Sequence, residues 1–251
     1  MIKIRCLCTI QVRGHGIVQN RNMEEEVKVT ELEAVRARRS IRKYSDEKMP
    51  EDKVLLLEGK LRELNGVSGL HMQLVLDHPE TFRHFLAHYG GFRQARDYIA
   101  LVGKTEDGLE EKCGYYGEQF VLFAQTLGLG TCWIGGTFSK RKTVFSVEEG
   151  EKLCLILSVG IPDEEGHVHR SRTFEEVTKT KDEIPEWFRN GVEAALLAPT
   201  AINQQKFTFV LEKPDKVRIV MGKGPFIRVD EGILRCHFEI GAGKENFVWI
   251  G

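Results

Sequence analysis

Five cations crowd into eight residues at Arg36, Arg38, Arg39, Arg42 and Lys43, interrupted by the hydroxyl of Ser40. Guanidinium forks and one hydroxyl suit a phosphate monoester, because a planar fork pairs two oxygens at once. If the segment is helical, Arg38 and Arg42 share a face and Arg39 lies beside Arg42. Taken alone, such a run is more often a solvated face than a site.

A second group of candidates is Ala198-Pro-Thr-Ala-Ile-Asn-Gln-Gln205, directly after an Ala/Leu-rich stretch. Pro199 stops a helix there, and Thr200, Asn203 and Gln205 then present a hydroxyl and two amides from a turn. Amides donate and accept, so they match a heterocycle with imide edges as well as a sugar hydroxyl. An ordinary polar loop has the same composition. In Gly128-Leu-Gly-Thr-Cys-Trp-Ile-Gly-Gly136 the G-x-G suggests a dinucleotide turn, but these glycines follow an apolar helix rather than a strand. A glycine-rich turn beside Trp133 can instead bring backbone amides close to a flat ligand. Arg170-Ser-Arg172 offers a second basic arm.

These segments need a framework, and the pattern from Thr30 onward alternates helix-like and strand-like stretches, as in a mixed α/β chain. Thr30-Glu-Leu-Glu opens a capped helix expected to run into Arg38-Arg39-Ser40. Pro50 begins a second helix, with Val54, Leu57, Leu61 and Leu64 at helical spacing. His71–Leu76 reads as a strand, Phe120, Phe123, Ala124 and Leu127 as the stripe of a third helix ended by Gly128, and Cys154–Ile161 as a buried central strand.

A faint repeat runs through this framework. Pro185-Glu opens a helix as Pro50-Glu does, an offset of 135 residues, and the same offset lays Leu74-Val-Leu-Asp-His-Pro79 on Phe209-Val-Leu-Glu-Lys-Pro214. Gly128-Leu-Gly130 is echoed at Gly241-Ala-Gly243 at a shorter spacing. Two similar hairpins would explain this, and so would two half-domains packed as a fused dimer.

Composition limits the partners. The chain has 251 residues, about 1.7 domains of ordinary size, with 41% hydrophobic and 29% charged residues. Its net charge of −1 provides no global field for nucleic acid or an anionic membrane, and no apolar run is long enough to span a bilayer. The six cysteines contain no CxxC and read as small core residues in a reducing, cytoplasmic compartment. His84-Phe-Leu-Ala-His88 and His167-Val-His169 lack the partners of a metal site, and none is expected. Phe226–Trp249 reads as core packing rather than a base-stacking platform. Residues 1–29 form an expected tail, and Met23 offers an alternative start.

In order and setting, Arg38-Arg-Ser-Ile-Arg42, Leu127–Gly136, Gly160-Ile-Pro with Arg170 and Arg172, and Ala198–Gln205 resemble the FMN-dependent nitroreductase family over about residues 30–251. The resemblance implies an α+β sandwich, a nitroreductase-like fold built as an intertwined homodimer with FMN at the interface. It implies that Arg38, Arg39, Ser40 and Arg42 hold the phosphate and ribityl chain, with Arg170 or Arg172 returning to the phosphate. Pro199, Thr200, Asn203 and Gln205 would approach the isoalloxazine, and Cys132, Trp133, Ile134, Gly135 and Gly136 would line its edge. NADH or NADPH would be the reductant and a small-molecule electron acceptor, a nitroaromatic or quinone, the oxidant, with ping-pong kinetics and no catalytic side chain assigned. A flavin sensor or carrier without turnover is the alternative. The arginine motif stands only before Pro50 and the A-P-T-x-x-N-x-Q motif only after Pro185, so each half lacks what the other carries. The expectation is therefore a tandem, single-chain pseudo-dimer: residues 30–180 as one half, 181–251 as a shortened second half, with one FMN site. A further homodimer stays open.

Overall fold

The computed structural model describes residues 29–83, 91–180, 183–212 and 214–250. Residues 1–28 of the expected tail, with Cys6, Cys8 and Met23, lie outside the described residues, as do His84 and His88.

Helix α1 (Glu31–Ala37) starts as its sequence directs: Thr30 caps the Glu33 amide, and the Glu33 carboxylate accepts the Thr30 amide. It ends at Ala37, earlier than expected, so Arg38, Arg39 and Arg42 do not share a helical face. The cause is non-local. Ser40 pairs with Thr131 in a parallel bridge, Ile41 N donates to Thr131 O at 2.9 Å, and the chain must be extended to do so.

Helix α2 (Glu51–Ser68) follows Pro50 and buries Leu57, Leu61 and Leu64, while Val54 is half-buried. Strands β1 (Gln73–Val75), β2 (Asp97–Lys104), β3 (Gly130–Ile134) and β4 (Glu151–Gly160) form an antiparallel sheet in the order β1-β2-β4-β3. β2 and β4 are central, which fits the continuous apolar run of β4. Alternation along β2 divides its side chains between two cores: Ile99 and Leu101 join one, Tyr98, Ala100 and Val102 the other.

A second sheet has the order β5-β6-β7-β8, with β5 (Thr178–Lys179), β6 (Phe207–Glu212), β7 (Lys216–Met221) and β8 (Val248–Trp249). β6 and β7 are antiparallel, whereas β5 pairs β6 and β8 pairs β7 in parallel. Helix α3 (Leu109–Thr126) packs on α5 (Ile227–Ala242), which also packs on α4 (Glu186–Ala195). The α3–α5 crossing is close because glycine faces backbone from both sides. A Cβ on Gly114 would strike the Val229 carbonyl, and one on Gly232 would strike the Glu111 carbonyl.

The larger core runs across both sheets, joining Leu57, Ile99, Phe120 and Leu157 to Phe188, Phe209 and Phe238. The chain is thus an α+β sandwich, as expected. No helix among the described residues is long and apolar enough to cross a membrane.

Candidate functional site

A cavity of about 530 Å³ opens where the first sheet, the loop after α4 and the start of α5 meet. That volume lies within the range of small-molecule and cofactor sites. Ser40 and Arg42, the run Cys132–Gly136, and Pro199 with Thr200 all line it. Three segments far apart in sequence therefore converge on one space.

Local structure explains their placement. The Ser40–Thr131 bridge sets the arginine segment alongside β3, next to Cys132. Beyond it, the Arg42 and Lys43 amides donate to Glu164 Oε1 at 2.9 and 3.2 Å, which fixes the backbone and leaves the Arg42 side chain exposed. The Glu164 carboxyl sits below its usual range, chiefly through the Arg42 amide bond. Burial pushes the Cys132 thiol up, so it lines the cavity as a neutral group.

The Pro199–Gln205 loop holds an unusual backbone, with Ile202, Asn203 and Gln205 at φ 47°, 53° and 43°. Non-glycine residues rarely take this left-handed form, and a β-branched one least of all. Side-chain bonds hold it. Gln205 Nε2 donates to Arg170 O at 2.7 Å, Gln205 Oε1 accepts the Arg172 amide at 2.9 Å, and Asn203 Nδ2 donates to Arg170 O at 3.0 Å. The two amides expected to face a ligand instead staple the loop to the Arg170–Arg172 arm.

Four expected cations also lie off the cavity wall. Arg38 is buried, its Nη2 reaching Leu197 O at 3.5 Å and its Nε 3.7 Å from Glu118 Oε1. Arg39 Nη1 donates to the Arg36 and Arg38 carbonyls, both at 2.8 Å. Arg170 and Arg172 are exposed on their arm. His169, in the polar turn before that arm, has Nε2 3.1 Å from Leu196 O, and burial lowers its pKa.

The walls that sequence reasoning missed come mostly from α5 and the residues before it: Pro225, Phe226, Val229, Asp230 and Ile233. Phe226 departs from the expected core role. While Phe238, Phe247 and Trp249 pack together, Phe226 is 39% exposed at φ 54° on the cavity wall. A Cβ on Gly135 would run into its ring, so this glycine admits the aromatic wall. Asp230 is buried, and burial raises its carboxyl to about 6. Lys223-Gly-Pro-Phe226 ahead of a helical stripe was the available signal, but it points to a turn rather than to a site.

The family model described as "Putative TM nitroreductase" matches residues 30–242. The chain belongs to this nitroreductase family. Membership places it among oxidoreductase enzymes and agrees with the α+β sandwich. A solved "putative nitroreductase" from Thermotoga maritima is 21% identical, with 92% of this chain and 90% of that one covered and a TM-score of 0.63. A "putative nitroreductase in complex with FMN" from Desulfovibrio desulfuricans is 23% identical, covers 62% of this chain and 98% of its own, and has a TM-score of 0.48. An "FMN-dependent Nitroreductase" from Clostridium difficile is 20% identical over 57% of this chain and 92% of its own, with a TM-score of 0.41. None of the curated proteins matches the nitroreductase chain.

Proposed function

We propose that this cavity binds FMN and that the chain is an FMN-dependent NAD(P)H oxidoreductase acting on small oxidised acceptors of nitroaromatic or quinone type. The observation that carries the reading is the convergence of Ser40 and Arg42, Cys132–Gly136, and Pro199 with Thr200 on one cavity.

The chemistry of the lining fits the cofactor. Ser40 and Arg42 suit the ribityl hydroxyls and phosphate, and the exposed guanidinium groups of Arg170 and Arg172 would serve as a second cationic arm. Trp133, Ile134, Leu155, Phe226, Val229 and Ile233 offer apolar walls to a flat ring. A Cβ on Gly136 would meet nothing within 4 Å, so a ring can approach the backbone there. Pro199 and Thr200 close the opposite side, the hydroxyl of Thr200 also accepting the Gln205 amide at 3.1 Å. Bound there, FMN would supply the two-electron chemistry, taking hydride from NADH or NADPH and passing it to the acceptor. The chain's part is to orient the ring, neutralise the phosphate and leave one face open to reductant and acceptor in turn, hence ping-pong kinetics.

We also read the chain as a fused pair of half-domains, 30–180 and 181–251, sharing this one site. The run α2-β1-β2-α3-β3 has the same element order as α4-β6-β7-α5-β8, which supports the reading. Cys113, Cys132, Cys154 and Cys236 are all unpaired thiols, which supports a reducing, cytoplasmic setting.

Anaerobic addition of NADH or NADPH to the FMN-loaded protein tests the activity. Rapid bleaching of the flavin absorbance is expected. Flavin that stays oxidised would make the protein a carrier or sensor, and a protein that takes up no FMN would overturn the proposal.

A further inference from the structure

Beneath the cavity floor lies a group of charges that the functional reading does not use. Glu118, in the middle of α3, is fully buried and serves three other elements. Its Oε2 accepts the Trp133 indole Nε1 of β3 at 2.8 Å. Its Oε1 lies 2.8 Å from His237 Nε2 on α5 and 3.7 Å from Arg38 Nε just beyond α1. The other His237 nitrogen, Nδ1, lies 3.1 Å from the Ala194 carbonyl, which can only accept. The His237 ring is thus held at both nitrogens, by the Glu118 carboxylate on α3 and by the backbone at the end of α4. Burial would push the Glu118 carboxyl up, but the His237 bond and charge, then Arg38 and Trp133, hold it below its ordinary value. Cys132 and Cys236, packed near the same cluster, are kept as neutral thiols by burial.

Trp133 joins this cluster to the site, since the residue lines the cavity while its indole N–H donates to Glu118. Room for the indole comes from α3 itself: a Cβ on Gly117 would lie 2.6 Å from the Trp133 ring. Arg38 is the second link, because Ser40 and Arg42 follow it within four residues and both line the cavity. Its Nε is buried without a hydrogen-bond partner, so besides the long Nη2 bond to Leu197 O the guanidinium is held inside by the Glu118 charge. A leucine at 118 would fill the space, but it could fix neither the indole nor the arginine.

We infer that Glu118 is a positioning residue of the site: bonded to His237 and paired with Arg38, it fixes the Trp133 indole beside the cavity and sets the course of the Ser40–Arg42 segment. This rests on the FMN reading for its functional consequence, but its geometry stands without it.

The test is a double-mutant cycle on FMN affinity, read by flavin fluorescence in the full-length chain, together with the indole N–H signals of the cofactor-free protein. Glu118→Leu and Trp133→Phe should each weaken FMN binding at least tenfold. The double variant should be no more than about threefold weaker than the worse single, because both changes remove one linkage. Independent, multiplying effects, or wild-type affinity in either single variant, would overturn the inference. In the cofactor-free wild type, the signal lost in Trp133→Phe should exchange slowly with solvent, and an exchange rate like that of a free indole would overturn it. If Glu118→Leu does not fold, that signal and the affinity of Trp133→Phe decide the matter. Wild-type protein that binds no FMN defeats the functional reading, while the indole signal still tests whether Glu118 holds Trp133.

Discussion

Asp230 Oδ1 accepts the Ala201 amide at 2.9 Å, tying the first turn of α5 to the loop that carries Pro199 and Thr200. Its Oδ2 accepts Gln204 Nε2 at 2.7 Å. One buried carboxylate thus binds two walls of the cavity together beside a backbone with three left-handed residues, each costing about 1 kcal/mol or more.

This anchor carries a pH signature. Burial raises Asp230 from 3.8 to about 6, against the pull of its bonds from Gln204 and Ala201. The folded protein therefore holds the proton more tightly than the unfolded chain. The resulting stabilisation is complete below pH 4 and is lost as pH rises through about 6. Urea unfolding of wild type and Asp230→Asn across that window should show the wild type losing about 3 kcal/mol relative to the variant. A pH-independent difference would refute the assignment.

Gly135 and Gly136 are adjacent but should respond differently to alanine. At Gly135 a Cβ meets the Phe226 ring, whereas at Gly136 it meets open space. Gly135→Ala should displace the aromatic wall and weaken FMN binding at least tenfold by fluorescence titration. Gly136→Ala should fold with wild-type stability, and its FMN affinity reports how closely the ring approaches that backbone.

The α3–α5 crossing makes a purely structural prediction. A side chain at Gly232 meets the Glu111 carbonyl and the Tyr115 amide, which cannot rotate away. Gly232→Ala should cost about 1–3 kcal/mol in the denaturant midpoint, as overpacking does. Gly66→Ala on α2, with nothing within 4 Å, should be neutral or slightly stabilising.

Gln205 is 5% exposed and bonds to Arg170 O, Arg172 N and Asn203 Oδ1. Gln205→Ala removes the bonds to Arg170 O and Arg172 N and should cost about 0.5–1.5 kcal/mol in chemical unfolding. It should also speed proteolysis of the 198–205 loop, and wild-type resistance would show that the loop does not depend on this staple.

The short motifs could be read from sequence because their chemistry is local. Thr30 and Glu33 form their cap within one turn, Pro50 and Pro185 open their helices, and Gly128 at φ 69° follows α3. The α+β class followed from the alternation of patterns. What could not be read depends on distant partners. α1 stops at Ala37 because Ser40 finds Thr131, and Arg38 turns inward because Glu118 waits on another helix. Asn203 and Gln205 have donors that suit a ligand and a carbonyl equally, and only the position of the 170–172 arm decides. Phe226 and Asp230 reach the cavity through the packing of α5, which no local pattern encodes.

The most direct test of the account is calorimetric titration of the full-length chain with FMN, alongside Arg42→Ala and Thr200→Ala. The account predicts one FMN per chain, with weaker binding in both variants, because Arg42 and Thr200 line the same cavity. Two FMN per chain, no binding, or an effect confined to one variant would contradict it.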